Sequence, residues 1–481
     1  MMKTVKNIIW IFSFVILLTG CKDDFFDVNV PSDVLDESQV SFQTQLPYIE
    51  TRLASMQFSM VRYMDGLYDQ QIASYFVGGT DSHERTSLTG AWSTYYTRIL
   101  SNIKVMKKLA NEENNPHYLG IAQVMEALAT QMATDHWGDI PYSEAAMGSE
   151  NLAPKPDSQQ QIYTNLLQLL DDAIANLQAP GTGVEPGSED LFYAGDLDKW
   201  IKAAYTLKAR IHIHLTKRNG NAAAQEALNA LQNGFTGISD DMQIVYDAAA
   251  RNPWYTSVVA ANRTGNLSVL WSEQLIDQMN GTDYPFTSIS YDPRLPRYAD
   301  NGGAATYVGA ENGAGGGGNC DLADDAYFAE DAPVFLLTFM EAKFIESEAK
   351  FLLGDKQGAY DAYIEGITAS MDKLGIPSAD RDAYLNEASI GFGGDANQLE
   401  MKHILKEKNI ALVLHPEPYT DMRRYDFDPN IFVDLTFPQN RSQDIPANEW
   451  PRRAVYPNSE VQRNSNLDQI SEYWLPVWWD Q

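Results

Sequence analysis

The stretch FLLTFMEAKFIESEAKFLLGDKQGAYDAYIEGITASMDKLG, residues 335–375, constrains the fold more than any other part of the chain. Phe339, Ala342, Ile345 and Ala349 recur at steps of three and four, the spacing of one face of an α-helix. Leu353-Gly354-Asp355 then makes a turn, after which Ala359, Ala362, Tyr363 and Ile367 repeat the pattern. Two helices with small residues on their facing surfaces and a short glycine turn between them cannot bury their own apolar face alone. Further helical pairs have to cover it.

The chain supplies them. In STYYTRILSNIKVMKKLA, Tyr96, Ile99, Ile103 and Met106 form one apolar stripe. LGIAQVMEALATQMATDHWG carries Ile121, Val124, Met125, Leu128 and Met132 in the same way, until Gly138 and Pro141 stop it. IYTNLLQLLDDAIANL and WIKAAYTLKARIHIHL are two more amphipathic helices, separated by the glycine- and proline-rich loop APGTGVEPGSED. Paired as 94–110 with 117–137 and 160–177 with 198–217, they look like neighbours of a tetratricopeptide-like unit at 335–375. Residues 218–332 differ: helical patterns are brief, and glycine, proline and aromatic residues are frequent. At their centre, GAENGAGGGGNC (309–320) lacks the lysine and Ser/Thr of a phosphate loop, and reads as a flexible or ligand-fitting surface loop.

The N-terminus carries Lys3 and Lys6, then an apolar run from Ile8 to Leu18, then Thr19 and Gly20. This is the order of a secretory signal, in a run too short to span a bilayer. Leu18-Thr19-Gly20-Cys21 resembles a lipobox, which makes Cys21 the lipidation site once residues 1–20 are removed. Lys22, Asp23 and Asp24 resemble the acidic export tag of Bacteroidota surface lipoproteins. Residues 21–43 then read as a lipidated tether, and 44–481 as one body.

Removing Lys3 and Lys6 from the 35 basic residues leaves 33 against 65 acidic ones, and no basic stripe offsets that excess, which argues against nucleic acid. The second cysteine, Cys320, has no partner once Cys21 is acylated, so there is no disulfide framework. No distinctive catalytic motif is present, and with 65 acids a pair of carboxylates at glycosidase spacing carries no information. His212 and His214 lie on a helical pattern, where residues two apart point about 200° away from each other, so they do not share a metal ion. One is expected to be packed and one solvated. Neither a metal nor a cofactor is implied elsewhere.

Two arginine pairs, Arg423-Arg424 and Arg452-Arg453, stand beside acids and are expected to form buried bidentate ion pairs that fasten the C-terminal segment, 400–481, to the core. The 10 Trp, 25 Tyr and 19 Phe of a secreted acidic chain suggest carbohydrate as what it meets. In the irregular segment, Trp254, Tyr255, Tyr284, Phe286 and Tyr291 stand where loops are expected and are candidates for the ligand face, Trp254 first among them.

The lipobox, DHWGDIPYSEA with PKPDSQQQIYTNLLQLLDDAI, WIKAAYTLKARI, YDPRLPRYA, KNIALVLHPEPYTDMRRYDF and PRRAVYPNSE together resemble the SusD/RagB family of outer-membrane nutrient-binding lipoproteins. The resemblance implies an all-α fold, with tetratricopeptide-like helix pairs at about 94–217 and 335–375 packed against a loop-rich, mostly helical ligand lobe at about 218–332. It implies no catalysis. Instead it implies capture of a glycan, or alternatively a peptide, at the cell surface and delivery to a SusC-like TonB-dependent transporter barrel. Trp92 matches the early tryptophan near which glycan-binding members place ligand contacts, with Asn102 a turn or two further on. A surface glycoside hydrolase is the competing reading from another class.

Overall fold

A computed structural model describes residues 41–481; the signal segment, Cys21 and most of the tether lie outside it. The described chain is helix-rich, 52% helical with few short strands. Eleven of its helices organise the rest. They are α1 (Phe42–Met60), α2 (Ser101–Glu112), α3 (Pro116–Trp137), α4 (Gln159–Gln178), α5 (Leu197–His214), α6 (Asn221–Leu231), α7 (Glu273–Met279), α8 (Phe339–Leu352), α9 (Lys356–Lys373), α10 (Met401–Ala411) and α11 (Glu417–Arg424).

Local chemistry sets their ends. Asn115, Ser158, Asp196, Thr338 and Asp355 each precede a helix, and each side chain accepts a hydrogen bond from a backbone N–H of the first turn. Pro116 occupies the first position of α3, where the missing N–H costs nothing. Gly138 ends that helix with φ of 76°.

The helices stack in sequence: α2 on α3, α3 on α4, α4 on α5, α5 on α6, α6 on α8, and α8 on α9. The expected pairs are therefore present, with one addition. Helix α6 falls inside the segment read as irregular. Its Ala223, Ala224, Ala227 and Ala230 are buried, and three of them pack against Ala209 and Ile213 of α5 and Ile345 and Ala349 of α8. It is the missing partner that bridges the first helices to the pair at 339–373. Helix α10 closes the stack against α8 and α9, and α11 packs on α10.

Among the described residues, strands form only two-stranded antiparallel pairs. One of these positions the site: β1 (Ile72–Ser74) pairs with β2 (Val269–Trp271), Ile72 opposite Trp271 and Ser74 opposite Val269. No helix among the described residues is long and apolar enough to cross a membrane.

Charged residues within the core join the segment after residue 400 to the helical stack. Arg424 meets Glu348 of α8 through two bonds of 2.7 and 2.9 Å and Asp421 at 2.6 Å. Arg210 of α5 binds Glu341 of α8 and lies 3.5 Å from Glu417 of α11, which also receives His214 at 2.7 Å. Burial lowers the basicity of His214, but Glu417 and Asp135 outweigh it and raise the imidazole to about 9. His214 is thus the packed histidine of the pair, and His212 is half-buried.

Arg452 bonds Asp426 and Asp480. The other two arginines depart from the expectation of ion pairs. Among the described residues Arg423 has no carboxylate partner; it donates to the carbonyls of Asp135 and Arg452 and lies over the rings of Tyr419 and Trp479 at 4.3 and 4.8 Å. Arg453 donates to the carbonyl of Trp137. A guanidinium has five donors, and carbonyl oxygens and ring faces satisfy some of them without a counter-charge.

Candidate ligand-binding site

The aromatic residues singled out in the sequence do not form one surface. Trp254 is 4% exposed: its ring meets Phe58 edge-on at 4.9 Å and borders a small void of about 30 Å³ with Phe335, Met340 and Val413. This corrects the expectation of an exposed ring, because α1 covers it. Trp92 is also 4% exposed and packs on Tyr96, Trp137 and Tyr456, as a core anchor. Asn102 is half-buried on α2 and its side chain donates to the carbonyl of Arg98. Tyr284 is buried beside Lys406; Tyr255 and Phe286 are half-buried, Phe286 against Tyr384. Tyr291 alone of the set is well exposed, at 39%, with its ring 5.5 Å from that of Tyr307.

A cleft of about 250 Å³ opens instead where four chain segments meet: Gln70 next to β1, the start of α7 with the loop after it, Glu311-Asn312, and residues 434–438. Its construction begins with Asp81, whose carboxylate accepts from the N–H groups of Ser74 and Gly313 and from the Asn312 amide. Burial pushes Asp81 up to about 6, against the pull of those three donors. Asn312 also donates to the carbonyl of Ile72 at 2.9 Å and receives the Ser272 hydroxyl at 2.5 Å, which ties the glycine-rich segment to β1 and to the cap of α7. Gly313 has φ of 77°, and a Cβ there would sit 1.8 Å from the carbonyl oxygen of Gln439, so only glycine lets the two segments touch. The glycine-rich stretch is thus packed between two other loops.

The buried floor presents acceptors. Gln70 Nε2 donates to the carbonyl of Thr436 at 2.7 Å and Gln274 Nε2 to that of Val433 at 2.8 Å, so one of the two donors of each amide is spent on the wall. Glu273, Asp277, Asp283, Glu311 and Asp434 supply five carboxyl groups, and among the described residues no Lys or Arg lines the cleft. Both carboxyl oxygens of Asp283 are occluded and accept no hydrogen bond. Burial, reinforced by the neighbouring Asp434, pushes Asp283 up to about 8, and burial raises Glu273 and Asp277 as well. Among the described residues no three His, Cys, Asp or Glu side chains are grouped to hold a metal ion.

An aromatic column stands at the rim. Phe427 stacks on Trp450 at 4.9 Å, Trp450 stacks on Phe437 at 4.6 Å, and the Arg441 guanidinium lies 4.3 Å from the Phe437 centroid. Phe437, 40% exposed, has both Trp450 and Arg441 against its ring and forms part of the cleft wall. Sequence reasoning missed Phe437 and Trp450. The available signal was aperiodic, proline-containing sequence rich in aromatics directly after the arginine-rich helix.

Comparison with known proteins places this architecture. A family model described as starch-binding and associating with the outer membrane, SusD-like, matches residues 37–457. No curated protein matches the chain. Among solved structures, a chitin-binding protein superposes with a TM-score of 0.72 at 23% identity, over 90% of this chain and 99% of its own. A chitin-binding SusD homologue from Flavobacterium johnsoniae gives 0.71 at 19%, over 91% and 98%. A SusD homologue from Bacteroides uniformis gives 0.71 at 19%, over 92% and 100%. With a family model covering most of its length and a fold shared with SusD homologues, the chain belongs to the SusD/RagB family.

Proposed function

We propose that this protein is a non-catalytic cell-surface lipoprotein that captures an oligosaccharide in the cleft beside Phe437 and delivers it to a SusC-like TonB-dependent transporter barrel. The observation that carries the reading is a cleft lined by five carboxyl groups and, among the described residues, by no Lys or Arg, with the partly exposed Phe437 ring in its wall. Sugar hydroxyls donate to carboxylates and amide oxygens, and sugar C–H faces pack on a ring already held in place. The chitin-binding descriptions of two structural neighbours and the starch-binding description of the family support the choice of glycan over peptide. The Leu18–Cys21 lipobox supports the lipid anchor.

One feature favours a hydrolase: Asp283, raised to about 8 next to Asp434, has the ionisation of a general acid beside a second carboxyl. Titrating the protein calorimetrically with chito- and malto-oligosaccharides and with peptides, while following the same sugars for cleavage, decides between the two. Binding without turnover is expected. Phe437→Ala should weaken the glycan about 5- to 30-fold, the effect of losing one stacking ring. Turnover abolished by Asp283→Asn, or peptide binding in place of glycan, would overturn the reading.

A further inference from the structure

Two glutamines in the acidic cleft point to a particular chemistry in its ligand. Gln70 and Gln274 line the cleft and are 5% and 6% exposed. The Nε2 of each donates to a backbone carbonyl, of Thr436 and of Val433, and because a carbonyl oxygen can only accept, these bonds fix which end of each amide is nitrogen. The opposite end is therefore oxygen. Among the described residues no group donates to either Oε1, and neither oxygen is occluded in the way that both carboxyl oxygens of Asp283 are. Two buried amides thus turn unpartnered acceptors toward the cavity, and a buried acceptor without a donor carries a cost that a ligand removes.

The carboxyl groups around them repel one another. Glu273 and Asp277 stand four residues apart on α7, the spacing that puts two side chains on one face of a helix. Burial raises Glu273, and Asp277 and Glu311 raise it further. Burial likewise raises Asp277, with Asp434 adding to it against the pull of Asn280. Asp283 is pushed up by burial and then by Asp434 and Asp277. The cation acting against this, Lys406, has its Nζ on Glu407 at 2.6 Å and on the Tyr384 hydroxyl at 2.7 Å. Arg441, against the Phe437 ring, donates to the carbonyls of Ala447 and Glu449. Neither cation lines the cleft. A positive ligand would supply the counter-charge that the fold does not.

We propose that the sugar taken by this cleft carries a free, protonated amine, an ammonium group held by Gln70 Oε1, Gln274 Oε1 and the carboxylates of Glu273 and Asp277. The inference rests on the reading of the cleft as a glycan site and names the class of glycan, one with unacetylated amino sugar units such as glucosamine. An ammonium has three donors and no acceptor, which matches a wall of acceptors, and hydrogen bonds in which the donor is charged are the stronger kind. The remaining N–H of each glutamine amide can bond a ring hydroxyl. Among the described residues no three acidic, His or Cys side chains are grouped to hold a metal ion, which favours a larger, hydrogen-bonding cation. At about 250 Å³ the cleft lies just below the roughly 300–1,000 Å³ of small-molecule sites, room for one sugar unit with the rest of the chain outside.

The full chain is titrated calorimetrically at low salt near pH 6.5, where an amine of ordinary pKa is protonated. The probes are the linear trisaccharide of glucosamine, its fully N-acetylated form, and the tripeptide Gly-Lys-Gly, which carries an ammonium on another scaffold. The amine sugar should bind about tenfold or more tightly than the acetylated one, the loss expected when hydrogen bonds to a charged group are removed. That ratio should shrink as sodium chloride is added. In Glu273→Gln combined with Asp277→Asn, which keeps side-chain shape and removes two charges, it should fall toward one, while the melting temperature stays at or above that of wild type because a like-charged pair is gone. Gln274→Met, which keeps the length and removes the oxygen, should weaken the amine sugar several-fold in whatever protein folds.

Binding of the acetylated sugar at least as tight as that of the amine overturns this proposal and leaves the glycan site standing; binding of neither sugar overturns both. Tripeptide binding as tight as that of the amine sugar, calcium chloride binding that displaces the sugar, or an undiminished preference in the folded double variant would also overturn it.

Discussion

Replacing Arg424 by Met keeps most of the side-chain volume and removes the charge from a site that is almost fully enclosed. The change deletes two bonds to Glu348, one to Asp421 and the donations to the Ile213 carbonyl and Thr216 hydroxyl. Glu348, with no exposed side chain, is left with the Tyr425 hydroxyl at 2.8 Å. Stranding one partner of a buried ion pair costs about 3–5 kcal/mol. At about 2.1 cal/mol/K of unfolding entropy per residue, a chain of 481 residues has about 1 kcal/mol/K, so the melting temperature should fall by about 3–5 °C.

The cause can be separated from the loss of packing. Burial raises Glu348, but Arg424 outweighs it and holds the wild-type carboxyl below its usual range. Wild type therefore gains this stability above the unfolded carboxyl pKa and loses it as pH falls. In the variant the folded pKa rises above the unfolded value, so its deficit should be largest near pH 8 and narrow toward pH 5. Arg424→Met with Glu348→Gln should recover part of the loss. Arg423→Met, which strands no carboxylate, should cost less than Arg424→Met. Calorimetric melts across this pH range test all four statements. A melting point within 1 °C of wild type, a double variant no better than the single one, or a larger loss at Arg423 would refute the reasoning.

Trp254→Ala should cost about 3–5 kcal/mol of stability and leave glycan affinity intact in whatever protein folds, because the ring fills the core beneath α1; a stable variant with weakened binding would return Trp254 to the ligand face. His214, raised to about 9 from an unfolded value near 6.5, contributes about 3 kcal/mol that is fully present below pH 6.5 and lost as pH rises toward 9. Melts at pH 6 and pH 9 should differ more for wild type than for His214→Gln, and equal slopes would contradict this. Cys21→Ser should release the protein into the soluble fraction on membrane fractionation, and undiminished membrane association would point to another attachment.

The helical stack was legible because its signal is local. Ile121, Val124, Met125 and Leu128 repeat within a few turns, and Gly138 and Asn115 mark ends by their own backbone chemistry. Helix α6 escaped because its buried stripe is alanine, which differs little in hydrophobicity from its surroundings, and its helical face acquires meaning only against Ala209 and Ala349. The arginine pairs advertised buried polar contacts, yet Arg424 and Arg453 have similar local sequence and opposite surroundings: one meets Glu348 from another helix, the other an open cavity. Exposure of a ring is likewise decided by what distant chain lies over it, as Phe58 does over Trp254. The acidic cleft draws Gln70, Asp283, Asn312 and Asp434 from four separate segments, and their proximity results from the packing of the whole chain. Periodicity is a property of neighbours along the chain, so the sequence alone determined the helices; burial, charge pairing and the shape of a binding surface arise between residues far apart along it, so only the tertiary structure decided them.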